Sequence, residues 1–127
     1  MKQPETEIYK ALSKYMRLKH PNVVFRFDFA AGTKMTVGQA TRHKSINPHR
    51  GYPDLFIAEP RGGYCGMFLE IKAMGSSPYK KNGGLVSNIH IQEQYLRLLE
   101  LATKGYRSYF AVGIDECIDK IEAYLGG

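Results

Sequence analysis

The residues with the most suggestive chemistry are Asp54, Glu70 and Lys72. Asp54 opens the short apolar run DLFIA (54–58), and Glu70 and Lys72 close a second run, MFLEIK (67–72). Side chains alternate along an extended strand. Asp54, Phe56 and Ala58 would therefore share one face, as would Phe68, Glu70 and Lys72, with Leu55, Ile57, Leu69 and Ile71 on the other. Between the runs lies EPRGG (59–63), rich in turn formers, which predicts a β-hairpin. If the polar ends meet, Asp54 lies beside Glu70 and Lys72 on an otherwise apolar sheet. Charges placed there lose hydration and need partners. A hard divalent cation supplies one, because Mg²⁺ takes oxygen ligands and is commonly held by one or two carboxylates. Water on such an ion is more acidic, a lysine nearby could orient or deprotonate it, and the ion also polarises a phosphate. The pattern suits metal-dependent phosphodiester hydrolysis. It also suits a structural salt bridge at the end of two buried strands, and D…ExK alone does not choose between them.

The remaining elements must hold these groups. Pro4 followed by Glu5 and Glu7 predicts a helix over 4–19, with acids at the positive end of its dipole. Its apolar stripe is Ile8, Ala11, Leu12 and Tyr15. Glu5 lies on the edge of that stripe, either compensating the dipole or reaching toward the metal. Residues 23–30 (VVFRFDFA) predict a strand with Val23, Phe25, Phe27 and Phe29 toward the core. Arg26 and Asp28 face the wetter side, where they pair or Arg26 meets a phosphate. The segment 31–50 contains Lys34, Arg42, His43, Lys44, His49 and Arg50 and no acid. This is the strongest charge asymmetry in the chain. It suits non-specific contact with phosphates, and 36–44 could form a short helix. His43 and His49 lack the spacing of zinc ligands. Residues 73–88 read as a glycine-containing loop in which Tyr79, Lys80 and Lys81 could meet a phosphate or an unstacked base.

Residues 89–104 predict a helix ended by Gly105. Its stripe is Ile91, Tyr95, Leu98 and Ala102, widened by Leu99 and Leu101, with Glu93, Arg97, Glu100 and Lys104 opposite and Gln92 and Gln94 on the flanks. Residues 107–112 predict a strand. Asp115 would then cap a last helix over 116–125, burying Cys117 or Ile118, Ile121 and Leu125. The order is α-β-β-β-α-β-α, a mixed sheet with helices on its faces.

Composition sets the outer bounds. The 127 residues fit a single domain, 1–127. A hydrophobic content of 43% with 24% charged residues argues against disorder. A net charge of +6 points to an anionic partner, nucleic acid first. The two cysteines, Cys65 and Cys117, have no metal spacing and suggest no disulfide framework, so a reducing, cytoplasmic setting is the simpler expectation. Neither a signal peptide nor a membrane span is expected.

Taken together, Gly51-Tyr52-Pro53-Asp54, Leu69-Glu70-Ile71-Lys72, the helix start Glu5-Thr6-Glu7-Ile8, and Gln94 before Gly105-Tyr106 resemble the PD-(D/E)xK nuclease superfamily. Within it, the chain resembles a stand-alone VRR-NUC domain of the phage and bacterial kind, over nearly its whole length. The resemblance implies a restriction-endonuclease-like fold. It implies that Asp54, Glu70 and the Ile71 backbone carbonyl bind Mg²⁺ or Mn²⁺, with Glu5 approaching the metal. Lys72 would position or activate the attacking water, and Gln94 would order the site. It further implies a homodimer that cuts branched DNA such as a four-way (Holliday) junction, as in recombination and repair. Tyr9, Tyr109 and Tyr124 are candidates for the dimer surface. No family motif matches 33–50, so the roles of Arg26, Lys34, Arg42, Lys44, Arg50, Lys80 and Lys81 on DNA rest on charge. Flap, end-processing or restriction-type cleavage are the alternatives among enzymes. A catalytically silent DNA-binding module is the alternative outside them.

Overall fold

A strand whose side chains are buried on both faces must lie inside a sheet, and β3 (Met67–Lys72) is buried at all six positions. The computed structural model, which describes residues 5–28 and 35–126, places it between β2 (Leu55–Ile57) and β4 (Arg107–Val112). Pro4, Phe29, Ala30 and Lys34 lie outside the described residues. With β1 (Phe25–Phe27) the sheet runs β1-β2-β3-β4. The first two pairings are antiparallel and the third is parallel. The β2–β3 hairpin turns at Gly62-Gly63, where Arg61 and Tyr64 pair across two glycines of φ 57° and 88°. Two consecutive positive φ angles are what a tight hairpin turn needs, and glycine adopts them without strain.

The register puts Leu55 opposite Leu69 and Phe56 opposite Phe68. Leu55, Ile57, Met67, Leu69, Ile71 and Ala111 thus share one face. Over it lie α1 (Glu5–Lys19), through Ile8, Leu12 and Met16, and α4 (Gly113–Leu125), through Cys117, Ile121 and Leu125. Most of these side chains are wholly buried, and each contributes about 1.5–3 kcal/mol. Glu122 ties the two helices at their edge, meeting the Tyr15 hydroxyl, His20 Nε2 at 3.1 Å and Lys19 at 3.8 Å. The Tyr15 hydrogen bond, above all, holds its carboxyl below the ordinary pKa. The opposite face carries Phe56, Phe68 and Ser108. Ser108 donates its hydroxyl to the Leu98 carbonyl of α3 (Ile89–Thr103) at 2.6 Å, so α3 forms the third layer.

Several expectations need correction. The segment 36–44, read as a possible short helix, is indeed one, α2 (Val37–Ile46), between β1 and β2, so the full order is α-β-α-β-β-α-β-α. Thr36 caps it, accepting from the Gln39 amide while the Gln39 side chain accepts from the Thr36 amide. In α1, Ala11 is exposed and Met16 is buried, because the stripe continues one turn along rather than widening. In α3, Leu98 is the buried residue, while Tyr95, Leu99 and Ala102 are exposed. Polar contacts set this rotation. Gln94 reaches β3, and Arg97 donates to the Arg50 carbonyl at 3.2 Å. α4 begins at Gly113 with no side-chain cap, so Asp115 lies within its first turn. Both cysteines are free, Cys65 exposed and Cys117 buried. Among the described residues no helix is long and apolar enough to cross a membrane.

Candidate active site

The register that aligns Leu55 with Leu69 carries Asp54 to the position opposite Glu70, at the end of the hairpin away from its turn. Both are nearly sealed, Asp54 at 4% and Glu70 at 3% exposure. Asp54 is fixed twice: its Oδ2 accepts the Ile71 amide at 2.7 Å, and its carbonyl accepts the Asp28 amide at 2.7 Å. Lys72, two residues beyond Glu70 and on the same face, brings its Nζ to 3.9 Å from Glu70 and donates to Gln94 Oε1 at 2.7 Å. A buried ammonium has three protons to place. Gln94 takes one, which fixes the direction of the others.

Gln94 is held in turn by the strap that leads into β2. Gly51 adopts φ +70° against the α3 backbone, where a Cβ would stand 3.0 Å from the Glu93 carbonyl oxygen and 3.2 Å from the Gln94 nitrogen. Only glycine combines this dihedral with so close an approach. Beyond it Tyr52 packs edge-on against Phe68, with ring centroids 5.7 Å apart, and Phe68 stacks on Phe56 at 4.5 Å. Aromatic packing thus forms the wall beside the carboxylates.

The electrostatics show a deficit of positive charge. Burial first, then the hydrogen bond and charge of Asp54, push Glu70 well above the ordinary carboxylate pKa, and Lys72 only partly opposes them. Glu5, at the start of α1, is also raised, by burial and by Asp54. Tyr9 lies one turn further along the same helix. Its phenol is raised by burial and by Asp54. Its hydroxyl is the only buried side-chain oxygen or nitrogen among the described residues without a hydrogen bond of normal geometry. These are hard oxygen donors crowded around a single ammonium, so the residues fit a hard divalent cation held between Asp54 and Glu70. No three Asp, Glu, His or Cys side chains among the described residues close into a metal-holding group. Glu5, at the start of α1, lies near enough for the charges of Asp54 and Lys72 to act on it.

The chain resembles a solved structure described as a VRR_NUC domain protein. The TM-score is 0.63 over 98% of this chain and 89% of the other, at 26% sequence identity. The chain has the fold of a VRR-NUC domain. No protein-family model matches the sequence, and no curated protein does.

On this VRR-NUC fold the expected site residues are distributed unevenly. Asp54, Glu70, Lys72 and Gln94 come together in contact, and Ile71 meets the group through its amide on Asp54. Of the basic residues, Arg26, Arg42, Lys44, Arg50, Lys80 and Lys81 are exposed. Arg26 lines a groove beside the site, Arg42 and Lys44 lie on α2, and Lys80 and Lys81 on the loop 73–88. Lys34 falls outside the described residues. Of the expected interface tyrosines one is buried and two are half-buried. Tyr124 is buried and donates to the Glu59 carbonyl at 2.7 Å, Tyr9 stacks on Phe27, and Tyr109 lies under the Lys120 ammonium. The sequence reading missed Tyr9 as a neighbour of the site. Its signal was the four-residue step from Glu5, which places both on one helical face.

Proposed function

We propose that this protein is a metal-dependent DNA endonuclease that hydrolyses phosphodiester bonds in branched DNA, four-way junctions in particular. One observation carries the reading: two adjoining buried carboxylates with an ammonium pinned beside them by a glutamine, at the end of a VRR-NUC sheet. Asp54, Glu70 and the Ile71 carbonyl would hold Mg²⁺ or Mn²⁺. Bound there, the ion would supply a polarising charge for the phosphate and a more acidic water. The chain does the rest. The Ile71 amide fixes the Asp54 carboxylate, so the site is organised before substrate arrives. Lys72 commits one proton to Gln94 and would use the others to orient the attacking water and to meet the charge growing on the phosphate oxygens. Glu5 adds negative charge that favours an ion in the site. The exposed cations of α2 and of the loop 73–88 would draw in the DNA backbone without reading bases.

A two-fold dimer would present two such sites to two strands of similar geometry. The outward face of α3 supports this reading: Ile89, Tyr95, Leu96 and Leu99 all lie exposed on it.

The test is a cleavage panel of four-way junction, flap, splayed and linear duplex DNA with Mg²⁺, Mn²⁺ or EDTA. Paired symmetric nicks in the junction, dependent on the ion and lost in Asp54→Asn and Glu70→Gln, are expected. Preferential cutting of flaps or ends would replace the junction assignment. An Asp54→Asn protein cutting at the parental rate would remove the site itself.

A further inference from the structure

Beside the carboxylates, between α2 and the β1–β2 strands, lies a groove of about 600 Å³. That is within the roughly 300–1,000 Å³ of small-ligand sites. Its walls include Arg26, His43, Ile46, His49, Tyr52 and Phe56. We propose that it receives a nucleobase swung out of the helical stack next to the scissile phosphate. The inference rests on the nuclease reading above and adds what that reading leaves open, namely how the enzyme grips the strand it cuts.

Three independent observations support it. The first is α2 itself. It buries none of its residues, with Val37 at 86% and Ile46 at 66% exposure. A ten-residue helix is marginal alone, and most helices persist because an apolar face is covered. Here the apolar residue at its end, Ile46, overhangs the groove. The second is the chemistry of the walls. Tyr52, 46% exposed, and Phe56 offer ring surface for stacking, which holds any base without regard to sequence. Arg26 and two imidazoles offer donors for a phosphate and for base edges, and one acid, Asp28, is also on the wall. The third is position. Pro53 lines the groove and is bonded to Asp54, so the groove adjoins the carboxylate pair and a base seated there would lie next to a phosphate at the site. Unstacking a base is easiest near a branch, where pairing is already broken. The groove would thus select branched DNA by the ease of base release rather than by sequence.

The test uses the Glu70→Gln protein and junctions carrying 2-aminopurine on either side of the phosphate that the parent protein cuts. Binding is followed by anisotropy and unstacking by emission. Emission should rise at least about two-fold at one of these positions, as the base leaves the stack. Adding Tyr52→Ala should abolish that rise while weakening binding less than about tenfold, since stacking in the groove replaces stacking in the duplex. Ile46→Ala alters a side chain that packs against little, so it keeps the fold and should lower the rise on its own. Normal binding with unchanged emission at every position overturns the groove and leaves the nuclease standing. So does a rise that survives both substitutions. A parent protein that neither binds nor cuts the junction overturns both readings.

Discussion

Glu70 should make the ion-free protein less stable as pH rises. Its carboxyl is 3% exposed and faces Asp54, and its pKa is raised above the ordinary 4.5. A carboxyl with a folded pKa above its unfolded one keeps its proton longer in the native state. Stability is then full below pH 4.5 and declines until the folded pKa is reached. Between 4.5 and 7 the decline is at most about 3 kcal/mol, at about 1.36 kcal/mol per pH unit. Glu70→Gln removes the titration. The amide has its own cost of burial, but that cost is equal at both ends of the range. The assay is urea unfolding in EDTA from pH 4.5 to 7. The parent should lose about 3 kcal/mol relative to the variant over this range, and Mg²⁺ should restore the parent alone. Parallel stability profiles for the two proteins would refute the picture of a carboxylate pair short of positive charge.

Other outcomes follow from the same geometry. Lys72→Ala should slow cleavage by about 10²–10⁴-fold with the fold intact, and Gln94→Ala by about 10–100-fold, measured as single-turnover rates. Gly51→Ala forces a methyl to 3.0 Å from the Glu93 carbonyl at φ +70°, and should cost about 1–3 kcal/mol in thermal unfolding. It should also cut activity, by pushing the strap away from Gln94. Arg42→Ala with Lys44→Ala should weaken DNA binding and flatten the slope of log K against log salt by about 2.

How much of this was legible beforehand depends on which physics wrote it. Period-two alternation is strict where one face is buried. The hairpin, its register and the meeting of Asp54 with Glu70 and Lys72 were therefore readable from residues 54–72 alone. The strand 107–112 was equally plain, being an unbroken β-prone run after a glycine stop. The face of α3 was not. Tyr95, Leu99 and Ala102 form an apolar stripe by spacing, yet the helix turns its polar Gln94 inward because a buried ammonium there needs an acceptor. Sequence periodicity measures hydrophobicity and is blind to such a bond. For the same reason Tyr9 and Tyr124 read as loose surface aromatics, although tertiary contacts bury Tyr124 and half-bury Tyr9. α2 was legible only as a possibility, because it has a capping box at Thr36 and Gln39 to mark its start but no apolar pattern.

The glycine pair at the tip of the hairpin lies at the far end of β3 from Glu70 and Lys72. A strand advances about 3.3 Å per residue, so the six residues of β3 separate tip and chemistry by somewhat under about 20 Å. Reporter groups, affinity handles or an entire guest module could be spliced between Gly62 and Gly63 without entering the site. That makes the tip the natural place to tether this domain to a surface or to a programmable DNA-targeting partner.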